Sequence, residues 1–300
     1  MLAVTTVVSF VSEKGGVGKT TACYHIAVAL TWYHKKSVLV IDADYQRGGI
    51  TGRFFPNLIE SFAAGSTEGE TLYHKYQQLY SASPLTPGIT ILPALPQEKG
   101  VDVVVADKRL AGVSVNKLPS TNNIKDNNLS LLRHLQVVDY VIKNLEKPYD
   151  YVLIDSHPEL SDVLRSIIYA SDYCVSPVKL DLQSAVGVPS VIAEIDRVNA
   201  DVFLMKKTVA PDLEHTPTVF AGAMGMMARE YGGDLKQTER DELRRLQATG
   251  YVFQEYVTQG DGLNQAAQGR VPVYNISGAN ADKQAAAFRR LTAEFLAKCP

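Results

Sequence analysis

The strongest chemical signature lies in residues 12–21, which read SEKGGVGKTT. Three glycines allow backbone N–H groups to turn inward around an anion. A helical pattern begins at Thr20, so the positive end of a helix dipole would face the same anion. Lys19 supplies a point charge for the β- and γ-phosphates of a nucleotide, and the Thr20 hydroxyl can join a magnesium shell. The stretch therefore predicts a phosphate-binding loop.

A phosphate-binding loop requires a strand before it and a helix after it. Residues 4–11 form an apolar, β-branched run, and the helical pattern extends from Thr20 to about Tyr33. The alternative, a glycine-rich surface turn with two lysines, does not explain this order of elements. The loop departs from the general pattern G-x-x-x-x-G-K-[ST] because Glu13 replaces the first glycine, and a second lysine, Lys14, follows it.

Two further apolar runs end in acidic residues. Residues 37–44 (SVLVIDAD) end in Asp42 and Asp44, and residues 151–155 (YVLID) end in Asp155. Buried parallel strands read as continuous apolar runs, and ligands bind at their carboxyl ends. Asp155 can hold magnesium through a water molecule. The alternative, in which the acids only cap strand ends, remains open from these residues alone.

The composition is that of an ordinary soluble globular protein, with 300 residues, 46% of them hydrophobic and 21% charged. We expect an α/β fold, a P-loop NTPase with a mostly parallel twisted sheet flanked by helices on both faces. The chain is predicted to form one domain, residues 1–300, with surface insertions near residues 50–87, 95–129 and 199–216.

The cysteine content and the net charge limit the expected cellular location and the expected binding partners. The 3 cysteines, Cys23, Cys174 and Cys299, form no C-x-x-C pair, which favours a reducing cytoplasm. No apolar run reaches the roughly 20 residues of a membrane-spanning helix, and we interpret the N-terminal run as a core strand instead of a signal peptide. A net charge of −2 gives no global attraction to nucleic acid, so DNA binding would require a local basic patch or a dimer surface.

The order Lys-Gly-Gly-x-Gly-Lys-Thr-Thr at residues 14–21 resembles the deviant Walker A motif of the ParA/MinD/Soj group of ATPases. Residues 42–46 (DADYQ) resemble the Asp-x-Asp-Pro-Gln switch of that group, with Tyr45 in place of proline. Residues 155–158 (DSHP) resemble its Asp-Thr-Pro-Pro sequence, with His157 in place of the first proline. The resemblance extends along the whole chain through weaker matches at Asp172, Pro177, Val178, Gly187 and residues 266–273.

The resemblance implies binding of ATP and Mg²⁺ and a slow, partner-stimulated hydrolysis of ATP. The implied nucleotide-binding residues are Lys14, Gly15, Gly16, Val17, Gly18, Lys19, Thr20 and Thr21, with Met226 beside the adenine base. The implied magnesium ligands are Thr20, Asp42 and Asp155. The implied catalytic residues are Lys14, Lys19 and Asp44, of which Asp44 would orient the attacking water. Lys14 would reach across an ATP-sandwich homodimer to the phosphates bound by the partner subunit.

The resemblance also implies an ATP-dependent dimerising switch for partition of plasmid or chromosomal DNA, located in the cytoplasm on the nucleoid. The ATP-bound dimer would bind nonspecific DNA, and a ParB-like centromere-binding adaptor would stimulate hydrolysis. The candidate DNA contacts are Arg244, Arg245, Arg270, Arg289 and Arg290. One alternative is an ATPase that positions a protein cargo on the nucleoid. A second is a MinD-like membrane-surface ATPase that uses the terminal helical pattern, although no membrane partner is expected.

Overall fold

The centre of the molecule is an eight-stranded, mostly parallel β-sheet in a computed structural model that describes residues 5–46, 49–94, 100–181 and 187–300. The strands of this sheet in chain order are β1 Thr6–Phe10, β2 Val38–Ala43, β3 Leu92–Pro93, β4 Val101–Val104, β5 Tyr151–Ser156, β6 Tyr173–Lys179, β7 Val219–Ala228 and β10 Val252–Thr258. A separate two-stranded sheet is formed by β8 Glu230–Tyr231 and β9 Asp234–Leu235. The order across the main sheet is β10-β7-β6-β1-β5-β2-β4-β3. Among the described strands of the main sheet, β3 alone runs antiparallel to its neighbour.

Helices cover both faces of this sheet, which confirms the predicted fold class. In chain order they are α1 Lys19–His34, α2 Gly49–Phe54, α3 Ile59–Ala64, α4 Leu72–Tyr80, α5 Ile124–Leu135, α6 Val137–Lys143, α7 Asp162–Ala170, α8 Gly187–Thr208, α9 Gln237–Ala248, α10 Asp261–Gly269 and α11 Ala279–Lys298. Helices α1, α2, α10 and α11 share a hydrophobic core on one face. Helices α4 to α9 pack against the other face.

The register of the three central strands places their carboxyl ends side by side. In β1 and β5, Phe10 is paired with Asp155, and in β2 and β5, Asp42 is paired with the same Asp155. All residues of these three strands are buried, which explains their continuous apolar sequences. The phosphate-binding loop and the two acidic strand ends therefore meet at one edge of the sheet, where ligands bind in open α/β sheets.

All three predicted surface insertions contain regular structure. Val101–Val104 form strand β4 of the core. This strand pairs with β2 on the outer side of the sheet and is mostly buried. The polar segment predicted from Asn199 is instead the continuation of α8 as far as Thr208. No glycine or proline interrupts residues 199–208, so the helix continues although Phe203 and Leu204 are exposed. Residues 50–87 also carry helices, α2 to α4.

The terminal helix α11 packs on the core and does not stand apart from it. Its apolar face, formed by Phe288, Leu291 and Phe295, is fully buried against α1 and β10. The Phe295 ring stacks on the Phe10 ring of the central strand with ring centroids 6.3 Å apart. Across the described residues, no helix combines the length and apolarity needed to cross a membrane.

Helices α10 and α11 approach each other at a glycine, which gives a stability prediction. A Cβ atom at Gly262 would lie 2.5 Å from the Ala281 Cα atom, closer than packed atoms allow. We expect Gly262→Ala to lower the free energy of unfolding by about 1–3 kcal/mol, the usual cost of overpacking. Gly269→Ala in the same helix is the control, because its nearest contact would be Val271 Cγ2 at 3.6 Å. Equal melting temperatures for the two variants would contradict this close approach.

Candidate nucleotide-binding site

A cavity of about 420 Å³ opens at the carboxyl edge of the sheet, where β1, β2 and β5 end. Seven of the residues predicted from sequence line this cavity: Gly15, Gly16, Gly18, Lys19, Thr20, Thr21 and Asp44. The residues that complete its wall are Gln46, Gly49, Arg53, Pro158 and Met227. The structure therefore brings the loop and the switch acid to one space large enough for a nucleotide phosphate chain.

The loop has its shape because two glycines adopt left-handed backbone conformations. Gly16 has φ 75° and Gly18 has φ 96°, values that side-chain-bearing residues rarely adopt. A Cβ atom at Gly18 would also lie 3.2 Å from Met226 Cβ, so the loop packs closely on β7. Helix α1 begins at the next residue, Lys19, so the unpaired N–H groups of its first turn belong to residues that line the cavity.

Asp155 and Thr20 form a pair that fits a magnesium ion. The Thr20 hydroxyl donates a 2.7 Å hydrogen bond to Asp155 Oδ2. Asp155 Oδ1 is buried and has no hydrogen-bond partner among the described residues. Burial raises the pKa of Asp155 to about 6, against the opposing effects of Lys19 and Thr20. A cation or its water shell would satisfy the unpartnered oxygen, and hydroxyl and carboxylate oxygens are the ligands that Mg²⁺ prefers.

Asp42 binds protein donors through both carboxylate oxygens. Its Oδ1 accepts the Asp44 backbone N–H at 3.0 Å, and its Oδ2 accepts the Thr51 N–H at 2.8 Å and the Thr51 hydroxyl at 2.7 Å. Burial and the nearby Asp155 charge raise the pKa of Asp42 to about 8, while these hydrogen bonds lower it. Asp42 thus fastens α2 to the end of β2, and its predicted magnesium contact stays a prediction.

The two residues that replace the family prolines contact each other. The Tyr45 and His157 rings stack with centroids 4.1 Å apart and an interplanar angle of 18°. His157 Nδ1 accepts the Glu159 backbone N–H at 3.2 Å, so its proton resides on Nε2, which has no partner among the described residues. Burial lowers the pKa of His157, and the Asp44 charge opposes this. The stack joins the chain segments that follow β2 and β5.

Three predicted nucleotide contacts do not line the cavity of this single chain. Lys14 is half-buried at the start of the loop, where its carbonyl accepts a 2.9 Å hydrogen bond from the Ser12 hydroxyl. Val17 is buried and anchors the loop. Met226 is fully buried beneath Gly18, and its neighbour Met227, with φ 54°, lines the cavity instead. The strand β7 extends to Ala228, so these methionines lie within it and not in a loop after it.

The five candidate DNA contacts do not form one basic face. Arg244 and Arg245 lie on α9, which packs on one face of the sheet, and Arg289 and Arg290 lie on α11, which packs on the other. Arg245 pairs with Glu242 at 2.8 Å, Arg290 with Glu255 at 2.8 Å, and Arg244 with Asp241 at 3.7 Å. Arg270 follows α10. DNA binding by these residues stays a prediction.

A phosphate-binding loop at the carboxyl edge of a parallel sheet, followed directly by a helix, defines a P-loop NTPase. A family model described as an AAA domain (AAA_31) matches residues 5–209 of the chain. The chain belongs to this family.

One curated relative is the chromosome partitioning protein ParA of Caulobacter vibrioides, which is 29% identical over 196 residues. That match covers 65% of this chain and 64% of the relative, so the similarity extends over less than two thirds of the relative's length. Two solved structures share the fold. A Cyanothece McdA variant in complex with ATP has a TM-score of 0.70 at 15% identity, covering 97% of this chain and 96% of the other. A putative plasmid partition protein from Borrelia burgdorferi bound to AMPPNP has a TM-score of 0.66 at 18% identity, covering 98% and 100%.

Proposed function

We propose that this chain is a ParA-like ATPase, a switch that dimerises around ATP and takes part in the partition of plasmid or chromosomal DNA. The observation that carries the proposal is the cavity in which the glycine loop, Lys19, Thr20 and Asp44 face one space. The Caulobacter relative is named a chromosome partitioning protein, and the two structural neighbours hold ATP or AMPPNP. These similarities to other proteins also support the proposal.

The chemistry follows from the arrangement of the side chains. Transfer of a phosphoryl group to water needs positioning and neutralisation of charge more than covalent participation by the protein. In the proposed mechanism the loop N–H groups and Lys19 bind the phosphate oxygens, and Asp44 accepts a hydrogen bond from the attacking water. Thr20 and Asp155 would hold Mg²⁺, which supplies further neutralisation of phosphate charge when bound. Lys14 of a second subunit would complete the site.

The wider role is proposed from the names of the relatives. The ATP-bound dimer would bind nonspecific DNA of the nucleoid in the cytoplasm. A ParB-like adaptor would then stimulate hydrolysis and end this binding. Arg244, Arg245, Arg270, Arg289 and Arg290 are the proposed DNA contacts. An ATPase that positions a protein cargo on the nucleoid would use the same site. The MinD-like alternative receives less support, since the apolar face of α11 is buried in the core.

Binding of nonspecific duplex DNA in the presence of ADP or ATP, measured across a salt series, tests this function. We expect binding that requires ATP and coincides with a dimer in light scattering. It should fall steeply with salt, because several phosphate contacts release counterions together. Hydrolysis of ATP with no DNA binding in either nucleotide state would overturn the partition proposal. Addition of anionic lipid vesicles to the same samples tests the membrane alternative.

A further inference from the structure

Helix α2 places an arginine in the wall of the nucleotide cavity, between the loop and the strand ends. We propose that Arg53 is a phosphate-binding residue that each subunit supplies to its own nucleotide. The inference rests on the proposed binding of ATP and adds a second cation to the site beside Lys19. The general P-loop pattern assigns no residue to this position.

The guanidinium of Arg53 lies at the phosphate-binding end of α1. Its Nη2 atom donates a 3.3 Å hydrogen bond to the hydroxyl of Thr21, which also lines the cavity. The guanidinium carbon lies 5.4 Å from the centroid of the Tyr24 ring, one helical turn further along α1. These two contacts fix the fork of N–H donors beside Lys19 and Thr20, where the loop binds phosphate.

The charge of Arg53 has no carboxylate within ion-pair distance in the part of the chain that the structure describes. Several other arginines do have one, such as Arg109 with Asp107 at 2.7 Å and Arg290 with Glu255 at 2.8 Å. Arg53 is half-buried, and burial lowers its pKa, with Tyr24 and Asp155 opposing this effect. A half-buried guanidinium that has no carboxylate partner can bind an anion, and a phosphate group matches its planar shape through paired hydrogen bonds.

The position of Arg53 is set by a rigid anchor close to it in the chain. Thr51 is 1% exposed and binds Asp42 through its N–H and hydroxyl groups. The Thr51 hydroxyl oxygen also accepts the Ala106 backbone N–H at 2.8 Å. These bonds tie α2 to the end of β2 and to the segment after β4. Arg53 therefore stands on a fixed element, as a residue that binds a ligand must.

Arg53 and Lys14 would act through different subunits, and this distinction can be measured. A contact made by Arg53 is present in the monomer, so it contributes to nucleotide affinity at any protein concentration. A contact made by Lys14 across a dimer contributes only when two subunits meet. The binding assay is therefore performed at protein concentrations where light scattering detects monomers alone.

The experiment compares affinities for Mg²⁺–AMPPNP and for inorganic triphosphate. We expect Arg53→Gln to weaken both by about 10- to 100-fold, the range for loss of a hydrogen bond with a charged group. Arg53→Lys, which keeps the charge and loses the fork, should lose less. Arg133→Gln is the matched control, because Arg133 is an exposed arginine in the last turn of α5 and lies outside the cavity. It should bind both probes as the wild type does.

Three outcomes separate the proposals. Absence of AMPPNP binding by the wild type would overturn the proposed function itself. Wild-type binding with unchanged affinity in Arg53→Gln would overturn the inference and leave the function standing. A loss for AMPPNP without a loss for triphosphate would also overturn it, since the contact would then involve the nucleoside. Circular dichroism confirms that each variant is folded, and Arg53→Lys serves as the test if Arg53→Gln does not fold.

Discussion

Replacing Lys14 with alanine is expected to lower the rate of ATP hydrolysis by about 10³-fold or more, the effect of losing a cation supplied in trans in related chemistry. The affinity of a single subunit for AMPPNP should not change, because Lys14 does not line the cavity of its own chain. Steady-state hydrolysis and equilibrium binding measure the two quantities. Lys125→Ala, at an exposed lysine at the start of α5, is the control and should retain full activity.

Mixed dimers show whether Lys14 acts across the subunit interface. Asp44 lines the cavity of its own chain, so Asp44→Ala should inactivate the site in which it lies. A dimer of one Lys14→Ala and one Asp44→Ala subunit contains one site with both groups intact if the lysine is supplied in trans. Mixing the two inactive variants should therefore restore hydrolysis. A mixture that remains inactive while the subunits still dimerise would contradict the sandwich arrangement.

Asp155→Asn should abolish the effect of Mg²⁺ on nucleotide affinity and lower hydrolysis by about 100-fold, since a bound metal contributes several kcal/mol of charge stabilisation. The amide keeps the shape of the side chain and can still accept the Thr20 hydrogen bond, but it removes the negative charge beside the unpartnered Oδ1. Without nucleotide, the variant should melt no lower than the wild type, because burial disfavours the charged carboxylate.

Titrations of AMPPNP with Mg²⁺ and with EDTA measure the metal effect in each protein. Asp126→Asn, at an exposed acid on α5, is the control and should keep the Mg²⁺ dependence of the wild type. Retention of that dependence by Asp155→Asn would contradict the assignment of Asp155 to the metal.

Those parts of the site that depend on local sequence were predictable. A strand, a glycine loop and a helix in succession define the loop, and Asp44 and Asp155 follow apolar strands whose ends must meet in a parallel sheet. Arg53 was missed because its place in the cavity depends on the contact of Thr51 with Asp42, which no local pattern encodes. Met227 was missed because a positive φ angle turns its side chain toward the cavity and leaves Met226 in the core.

The fold and the switch segment also contain features that depend on tertiary contacts and that local sequence does not predict. Strand β4 carries Asp102 between valines, and only its position beside β2 shows that Val101–Val104 belong to the sheet. Tyr45 and His157 are each visible in the sequence as departures from the family pattern. Their contact is a tertiary feature, because it joins segments after two different strands.

Both carboxylate oxygens of Asp42 accept backbone hydrogen bonds, and this links two parts of the cavity wall. Its carboxylate accepts hydrogen bonds from the backbone N–H of Asp44 and from that of Thr51, so one side chain binds two separate points of the chain. Asp44, the acid proposed to orient the attacking water, makes one of these two contacts, and Arg53 lies just beyond the other. One buried carboxylate therefore sets the position of Asp44 and also the position of the helix that carries Arg53.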